Sequence, residues 1–379
     1  MNFSVALPFI NAEFPDGASK SGVIASCFFF SYAAGQLLNG FAGDLKRPEI
    51  MVFVGLLLSA VANLIFGFAN SIGLMSGIWL LNGLFQSMLW GPIIRILSVH
   101  HQDNRINNRS SALMLSTVAG YFLAWGVAGT LADQINWRFA MWVPSIAVGA
   151  FAWVWFFTMV RPGTAAANPI GDGGVRAAKE KIPLVQMLSR TRLWFVMLGA
   201  LCQGIIKDGI SLWVPLYLLH RFNLSLTHTV LFILVIPVFN AFGIILAGWL
   251  NKRLLYQERK TAALLFVFAF ILLICLVWLP VQNILFTTLL IACASGMTYG
   301  TNSIIMSTIP MKYGRYGKSS FVAGVMDCCS YAGVGISSLV LGAFAAAGNI
   351  GVIPISWLTA ALFGVIFMFL SLKAKGEYC

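Results

Sequence analysis

Eleven apolar stretches follow one another between residues 19 and 372, each long enough to cross a bilayer. They cover roughly 19–42, 48–69, 73–98, 109–132, 138–160, 193–220, 226–250, 259–279, 282–309, 319–346 and 349–372. A helix needs about 20 residues to cross a hydrocarbon layer of roughly 30 Å. Inside that layer no water satisfies the backbone, so runs of this length can only be helices. Of the 379 residues, 59% are hydrophobic and 9% are charged. A soluble chain averages about 25% charged. The chain is therefore expected to be an all-α membrane protein.

Before the first full span stands a stub, residues 2–10 (NFSVALPFI). It is at most half a span. It also lacks the basic flank and long apolar core of a signal peptide. Three readings fit it: a start assigned too late or a fragment, a natural eleven-span form, or a decayed or regulatory paralogue.

The formal net charge of +12 does not point to nucleic acid, because the basic residues sit in short loops between apolar spans. With the stretch 161–192 in the cytoplasm and the spans alternating outward, twenty of the 24 lysines and arginines fall inside. Lys20, Arg138 and Arg221 fall outside, and Lys207 alone lies within a span. This is the positive-inside asymmetry, and it places the C-terminus in the cytoplasm. The stretch 161–192 carries prolines, glycines and charges and reads as a linker. It divides the chain into an N-terminal helical half, 1–160, with its first helix incomplete, and a C-terminal half, 193–379. The halves echo each other. Gly40-Phe-Ala-Gly-Asp44-Leu-Lys-Arg47 closes one span, and Gly248-Trp-Leu-Asn-Lys252-Arg253 closes the span six later, with Lys252 where the acid would stand. A repeat of six spans about a basic linker is a transporter layout.

No catalytic constellation is visible, and no cofactor is implied. Six of the seven cysteines lie in apolar spans and read as small packing residues. The four histidines (His100, His101, His220 and His228) lie at span ends or in loops, and no cluster has metal-ligand spacing.

Two adjacent charges, Lys207 and Asp208, stand in the middle of the span 193–220. A charge at membrane depth costs at least about 2.5 kcal/mol and marks function by default. Residues four apart share a helix face, so Gln203, Lys207 and Ser211 should form one polar stripe. Asp208 should point about 100° away and so not simply neutralise Lys207. Asp327, on a second stripe with Gly324, Tyr331 and Ser338, is the other deep charge. Lys207 is expected to meet Asp208, Asp327 or an anionic ligand. The competing reading is a fixed ion-pair network that only locks helices. Two carboxylates beside one ammonium fit an anionic cargo poorly. A protonated aspartate, a further arginine or a cargo that is not an anion would each resolve this. Tyr32, Gln36, Tyr299 and Asn302 are further candidates to line a cavity. Asn39, Asn82, Gln86, Tyr121 and Asn240 read as hydrogen bonds between helices, and Gly296 and Gly300 as close-packing positions.

The Gly40…Asp44…Arg47 loop and Asn136-Trp137-Arg138 resemble the major facilitator superfamily. Four further segments resemble its organophosphate:phosphate antiporter branch. They are the stub NFSVALP, Tyr32-Ala-Ala-Gly-Gln36, Gln86-Ser-Met-Leu-Trp90-Gly-Pro92-Ile-Ile-Arg95 and Lys207-Asp-Gly209-Ile-Ser-Leu-Trp213-Val-Pro215-Leu-Tyr217. The resemblance implies the major facilitator fold with two six-helix halves. It also implies a monomer in the bacterial inner membrane, moving a small, phosphorylated organic anion by alternating access, in exchange for inorganic phosphate. Lys207 falls where the branch carries a phosphate-binding arginine. The exchange is not conservative, since lysine offers a point charge where arginine offers a planar fork. The branch's other arginine would stand two places before Asn2. A lysine of the glycerol-3-phosphate transporter falls on Gln36, and that transporter's fifth-span histidine has no counterpart. Gly83 stands where many drug antiporters of the superfamily carry an arginine. The implied substrate site is Lys207, Gln203, Ser211, Tyr32, Gln36, Tyr299 and Asn302, with Asp208 and Asp327 for proton coupling or ion pairing. Gly40, Asp44, Arg47, Lys252 and Arg253 would serve the gate. Two alternatives of other kinds are a non-transporting sensor of sugar phosphates and a proton-coupled transporter of another solute.

Overall fold

The computed structural model describes residues 3, 6, 9–10, 13–14, 17–98, 103–161, 191–222, 235–279, 283–346 and 349–373. Among these, eleven long helices carry the chain: α1 (Gly17–Leu45), α2 (Pro48–Phe66), α3 (Ile72–Leu97), α4 (Asp103–Gln134), α5 (Phe139–Trp155, continued by a π turn Phe156–Val160) and α6 (Leu193–Phe222). Then come α7 (Val235–Arg253), α8 (Glu258–Trp278), α9 (Ile284–Ser303), α10 (Ser319–Ala346) and α11 (Val352–Ser371). A π turn Ile304–Thr308, a short helix Ile309–Lys312 and a 3-10 turn Tyr313–Tyr316 prolong α9. Most of the linker, the start of the span expected from residue 226, and His100, His101, His228 and Cys379 lie outside the described residues.

Ten of the described helices are long and apolar enough to cross a membrane. The eleventh, α4, is a continuous helix of 32 residues whose first turns (Asp103, Asn104, Arg105, Asn107, Asn108 and Arg109) are polar. Large apolar side chains stand exposed all along these helices, among them Leu38, Phe68, Leu123, Ile146 and Trp278, each above 60%. Water would not tolerate so much exposed apolar surface, whereas a lipid environment matches it.

The helices fall into two compact units, Met1–His101 with Ser116–Glu180 and Pro310–Cys328, and Gln102–Leu115 with Lys181–Ile309 and Cys329–Cys379. Among the described helices the first unit holds α1 to α5 and the second α6 to α11, except that the first turns of α4 belong to the second unit and the first turns of α10 to the first. The packing recurs at an offset of six spans. In the first unit α1 packs on α3 and α2 on α3 and α5; in the second, α7 packs on α9 and α8 on α9 and α11.

The first unit is centred on an aromatic core. Phe3, Ala6 and Ile10, on one face of the stub, are buried with Ile24, Phe66, Met75, Trp79 and Trp137. In the second unit the backbones of α7 and α9 approach closely. A Cβ on Gly296 would come within 2.5 Å of the Phe239 carbonyl oxygen, and one on Gly300 within 2.6 Å of the Gly243 oxygen. Small residues are what allow such contact, as expected for this glycine pair.

Candidate functional site

Lys207 sits midway along α6, with its side chain 13% exposed, and its Nζ lies 3.4 Å from Oδ2 of Asp208, itself 20% exposed. Asp208, one of the partners expected for Lys207, thus meets it, and the expectation that it points away and cannot simply neutralise the lysine is corrected. The Cα–Cβ directions do diverge, but the lysine stem of four methylenes is long and flexible enough to swing its ammonium back to its neighbour. The Tyr299 ring, on α9, has its centroid 5.8 Å from the same Nζ. Cation–ring contacts at this range are favourable.

One turn earlier, Gln203 is fully buried. Its Oε1 accepts from the Ser330 hydroxyl at 3.3 Å, while its Nε2 has no hydrogen-bond partner. Buried polar groups are normally paired, so an unmet donor beside an ammonium is informative. The predicted stripe is only partly realised. Ser211 is exposed, and its hydroxyl donates back to the Lys207 carbonyl oxygen at 3.1 Å. Asn302 is buried, and its Nδ2 lies 3.5 Å from the Met114 sulfur.

The other candidates belong to the first unit. Tyr32 stacks on Phe28 with ring centroids 5.7 Å apart, and its hydroxyl donates to Asp327 Oδ2 at 3.1 Å, tying α1 to α10. Gln36, one turn on, is fully buried with neither amide atom paired. Gly324 packs against the Gln36 backbone, where a Cβ would overlap the carbonyl. Gly83 has no room for a side chain, since a Cβ there would come within 2.6 Å of the Phe28 carbonyl oxygen.

The residues expected to serve a gate divide sharply. Asp44 accepts from the backbone N–H of Ser320 at 2.9 Å and of Phe321 at 2.8 Å, and so caps the start of α10. Gly40 gives the space for this approach: a Cβ there would come within 3.0 Å of the Gly324 Cα. Arg47 is largely exposed, 3.9 Å from Glu49. In the second copy Lys252 and Arg253 are exposed, and Arg253 lies over the Trp249 ring. The work there is done by neutral residues. Asn107 donates to the Gly248 carbonyl oxygen at 3.0 Å and accepts from Asn251 at 3.1 Å, and Asn251 accepts from the Thr261 hydroxyl at 3.1 Å. Sequence reasoning gave no role to Asn107, Asn251 or Arg95, although the last two stand in segments quoted above. Arg95 donates to the carbonyl oxygens of Gly43 and Lys46 and so closes the end of α1. Its sequence signal was its place at the end of the Gln86–Arg95 segment.

The polar residues assigned to interhelix bonding behave so. Asn39 donates to the Ser87 hydroxyl at 2.7 Å, Asn82 accepts from Ser59 at 2.8 Å, and Asn240 accepts from Ser295 at 2.7 Å. Gln86 joins the Ser59–Asn82 pair. The Tyr121 side chain lies outside what is described. A cavity of about 670 Å3 opens among α1 to α5, lined by Phe3, Phe28, Trp79, Gln86, Leu123 and Val148 among others. None of the predicted substrate residues lines it.

A sequence profile of the Major Facilitator Superfamily matches residues 1–338. The chain belongs to this superfamily. The crystal structure of the E. coli fucose:proton symporter FucP superposes with a TM-score of 0.73 at 15% identity, covering 99% of this chain and 96% of that one. An identity this low speaks for the fold alone, and the fold is the major facilitator fold. A "Probable hexose phosphate transport protein" of Chlamydia pneumoniae is 24% identical over 300 residues, which is 73% of this chain and 66% of that protein. The "Membrane sensor protein UhpC" of Salmonella typhimurium is 22% identical over 291 residues, again 73% of this chain and 66% of that protein. The chain thus spans just under two thirds of the length of these curated relatives. The superfamily member is a multi-pass membrane protein, and its relatives are not enzymes.

Proposed function

We propose that the chain is a secondary active transporter of the bacterial inner membrane, with its C-terminus in the cytoplasm. It moves a small phosphorylated organic anion by alternating access, in exchange for inorganic phosphate. The observation that carries this reading is Lys207. It is the one basic residue committed to membrane depth, it is mostly buried, and an unmet amide donor of Gln203 lies one turn away. A charge kept at membrane depth marks function by default, and the hexose phosphate relative suggests a phosphoryl group as the ligand. Lys207 and Gln203 grip that group, with Tyr299, Asn302 and Ser211 around them. Tyr32 and Gln36 remain candidate cargo contacts, Gln36 because both its amide atoms are unpaired. Asp208 and Asp327 are the candidates for proton coupling. The halves 1–160 and 193–379 are the proposed working bodies, supported by the packing that recurs at an offset of six spans. Gly40, Asp44, Arg47, Lys252 and Arg253 serve the gate, Asp44 as a latch on α10. The transporter works as a monomer.

The test is flux. Proteoliposomes loaded with inorganic phosphate should take up labelled sugar phosphate, and Lys207→Ala should lower the rate by at least about tenfold. Uptake unchanged in the variant would remove Lys207 from the site. The sensor relative supports a second reading, a ligand-binding protein without flux. Saturable binding of sugar phosphate with no uptake would select it.

A further inference from the structure

We propose that the Lys207–Asp208 pair is built for a zwitterionic cargo, a small phosphate ester or phosphonate that also carries an ammonium group. This rests on Lys207 being the phosphoryl contact and narrows the cargo within that reading.

The charge balance comes first. A phosphate monoester bears close to two negative charges at neutral pH. Lys207 offers one positive charge, and Asp208 cancels it from 3.4 Å. The other described charges of the second unit stand toward helix ends. A formally neutral pair at membrane depth cannot compensate a dianion, but it can match a cargo that brings its own cation.

The unmet hydrogen bonds come second. Gln203 Nε2 is a buried donor with no acceptor, and Asp208 Oδ2 accepts no hydrogen bond even with an ammonium nearby. The site thus lacks one acceptor and one donor. Gln203 and Lys207 lie on one face of α6, and Asp208 roots about 100° around it. A phosphoryl oxygen at Gln203 and Lys207, with an ammonium at the Asp208 carboxylate, supplies both missing partners. The Tyr299 ring face beside Lys207 adds a second surface that attracts cations. A pair serving only to lock helices would leave the Gln203 donor unexplained.

The test compares two probes of nearly the same shape, 2-aminoethyl phosphate and propyl phosphate, binding to the full chain in lipid nanodiscs. The aminoethyl ester should bind at least about tenfold more tightly, a difference within reach of one charge-assisted hydrogen bond. Asp208→Asn should abolish that preference, and Asp208→Glu, which keeps the charge, should retain it and report on folding. Equal or tighter binding of propyl phosphate to the wild type overturns the zwitterion proposal. So does a preference untouched by Asp208→Asn. If Lys207→Ala still loses binding of both esters in those cases, the phosphate-transporter reading survives. If neither ester nor inorganic phosphate binds, or if Lys207→Ala changes nothing, both readings fail.

Discussion

Glu13 shows how one side chain ties a segment down. Arg138 donates to both its oxygens, at 2.8 and 3.1 Å, and the Trp137 indole N–H adds a bond of 2.6 Å. The Arg138 hydrogen bond outweighs the opposing desolvation, and together with the indole it holds the carboxyl below its ordinary value of 4.5. A carboxyl that is more acidic in the folded state stabilises the fold above its unfolded value, and that contribution fades as pH falls through the folded one. Lowering the pH from about 6 to about 3 should therefore cost the wild type more melting temperature than Glu13→Gln. The difference should be small, because Glu13 is 40% exposed and solvent screens the pair. Thermal scans of both proteins across that range provide the check. The pairing was not legible beforehand: Arg138 counted as an outer-side basic residue and as the end of the Asn136-Trp137-Arg138 segment, and its partner lies 125 positions away. Lys207 was legible at once, because a lone ammonium in an apolar run is visible without coordinates. Asp208 was only one of three partners the sequence offered it, because a helical projection gives the direction of Cβ and says little about the end of a long flexible side chain.

Helix ends carry more of the architecture than their length suggests. The first N–H groups and last C=O groups of a helix have no partner within it. Here they find partners on other helices. Asp44 serves the start of α10, and Arg95 the end of α1. Arg192 and Arg259 donate to the Leu370 and Ser371 carbonyl oxygens at the end of α11. Basic residues that betray topology in the sequence thus also close helices. Removing the Asp44 cap by Asp44→Ala should destabilise the protein by about 1–2 kcal/mol, and Asp44→Asn, which keeps one acceptor, by less. Equilibrium unfolding in nanodiscs would measure both. The Gly296–Gly300 contact was anticipated, because small residues one helical turn apart have few other uses in an apolar span. The π turns at Phe156–Val160 and Ile304–Thr308 were not, although a proline, Pro162 or Pro310, stands two residues beyond each.

At the scale of the whole molecule, the asymmetry of charge predicts orientation. In a background without native cysteines, Ser71→Cys should react with an impermeant maleimide added outside intact cells, and Arg47→Cys should react only after permeabilisation. Both positions are exposed in short connections, so accessibility is decided by the side of the membrane. The sequence alone determined that the chain is an all-α membrane protein and which loops are basic, and it predicted eleven full spans and a repeat of six. Those properties follow from local hydrophobicity and charge, which act over one span at a time. Only the tertiary structure decided that α4 and α10 each divide between two compact units. It also decided that a neutral Asn107–Asn251 chain stands at the second copy of the motif, where the sequence has Lys252 in place of the acid, and that Lys207 closes on Asp208 with a Gln203 donor left unmet. Each of these depends on the reach of side chains and on backbones brought together across the fold, which no spacing along the chain encodes.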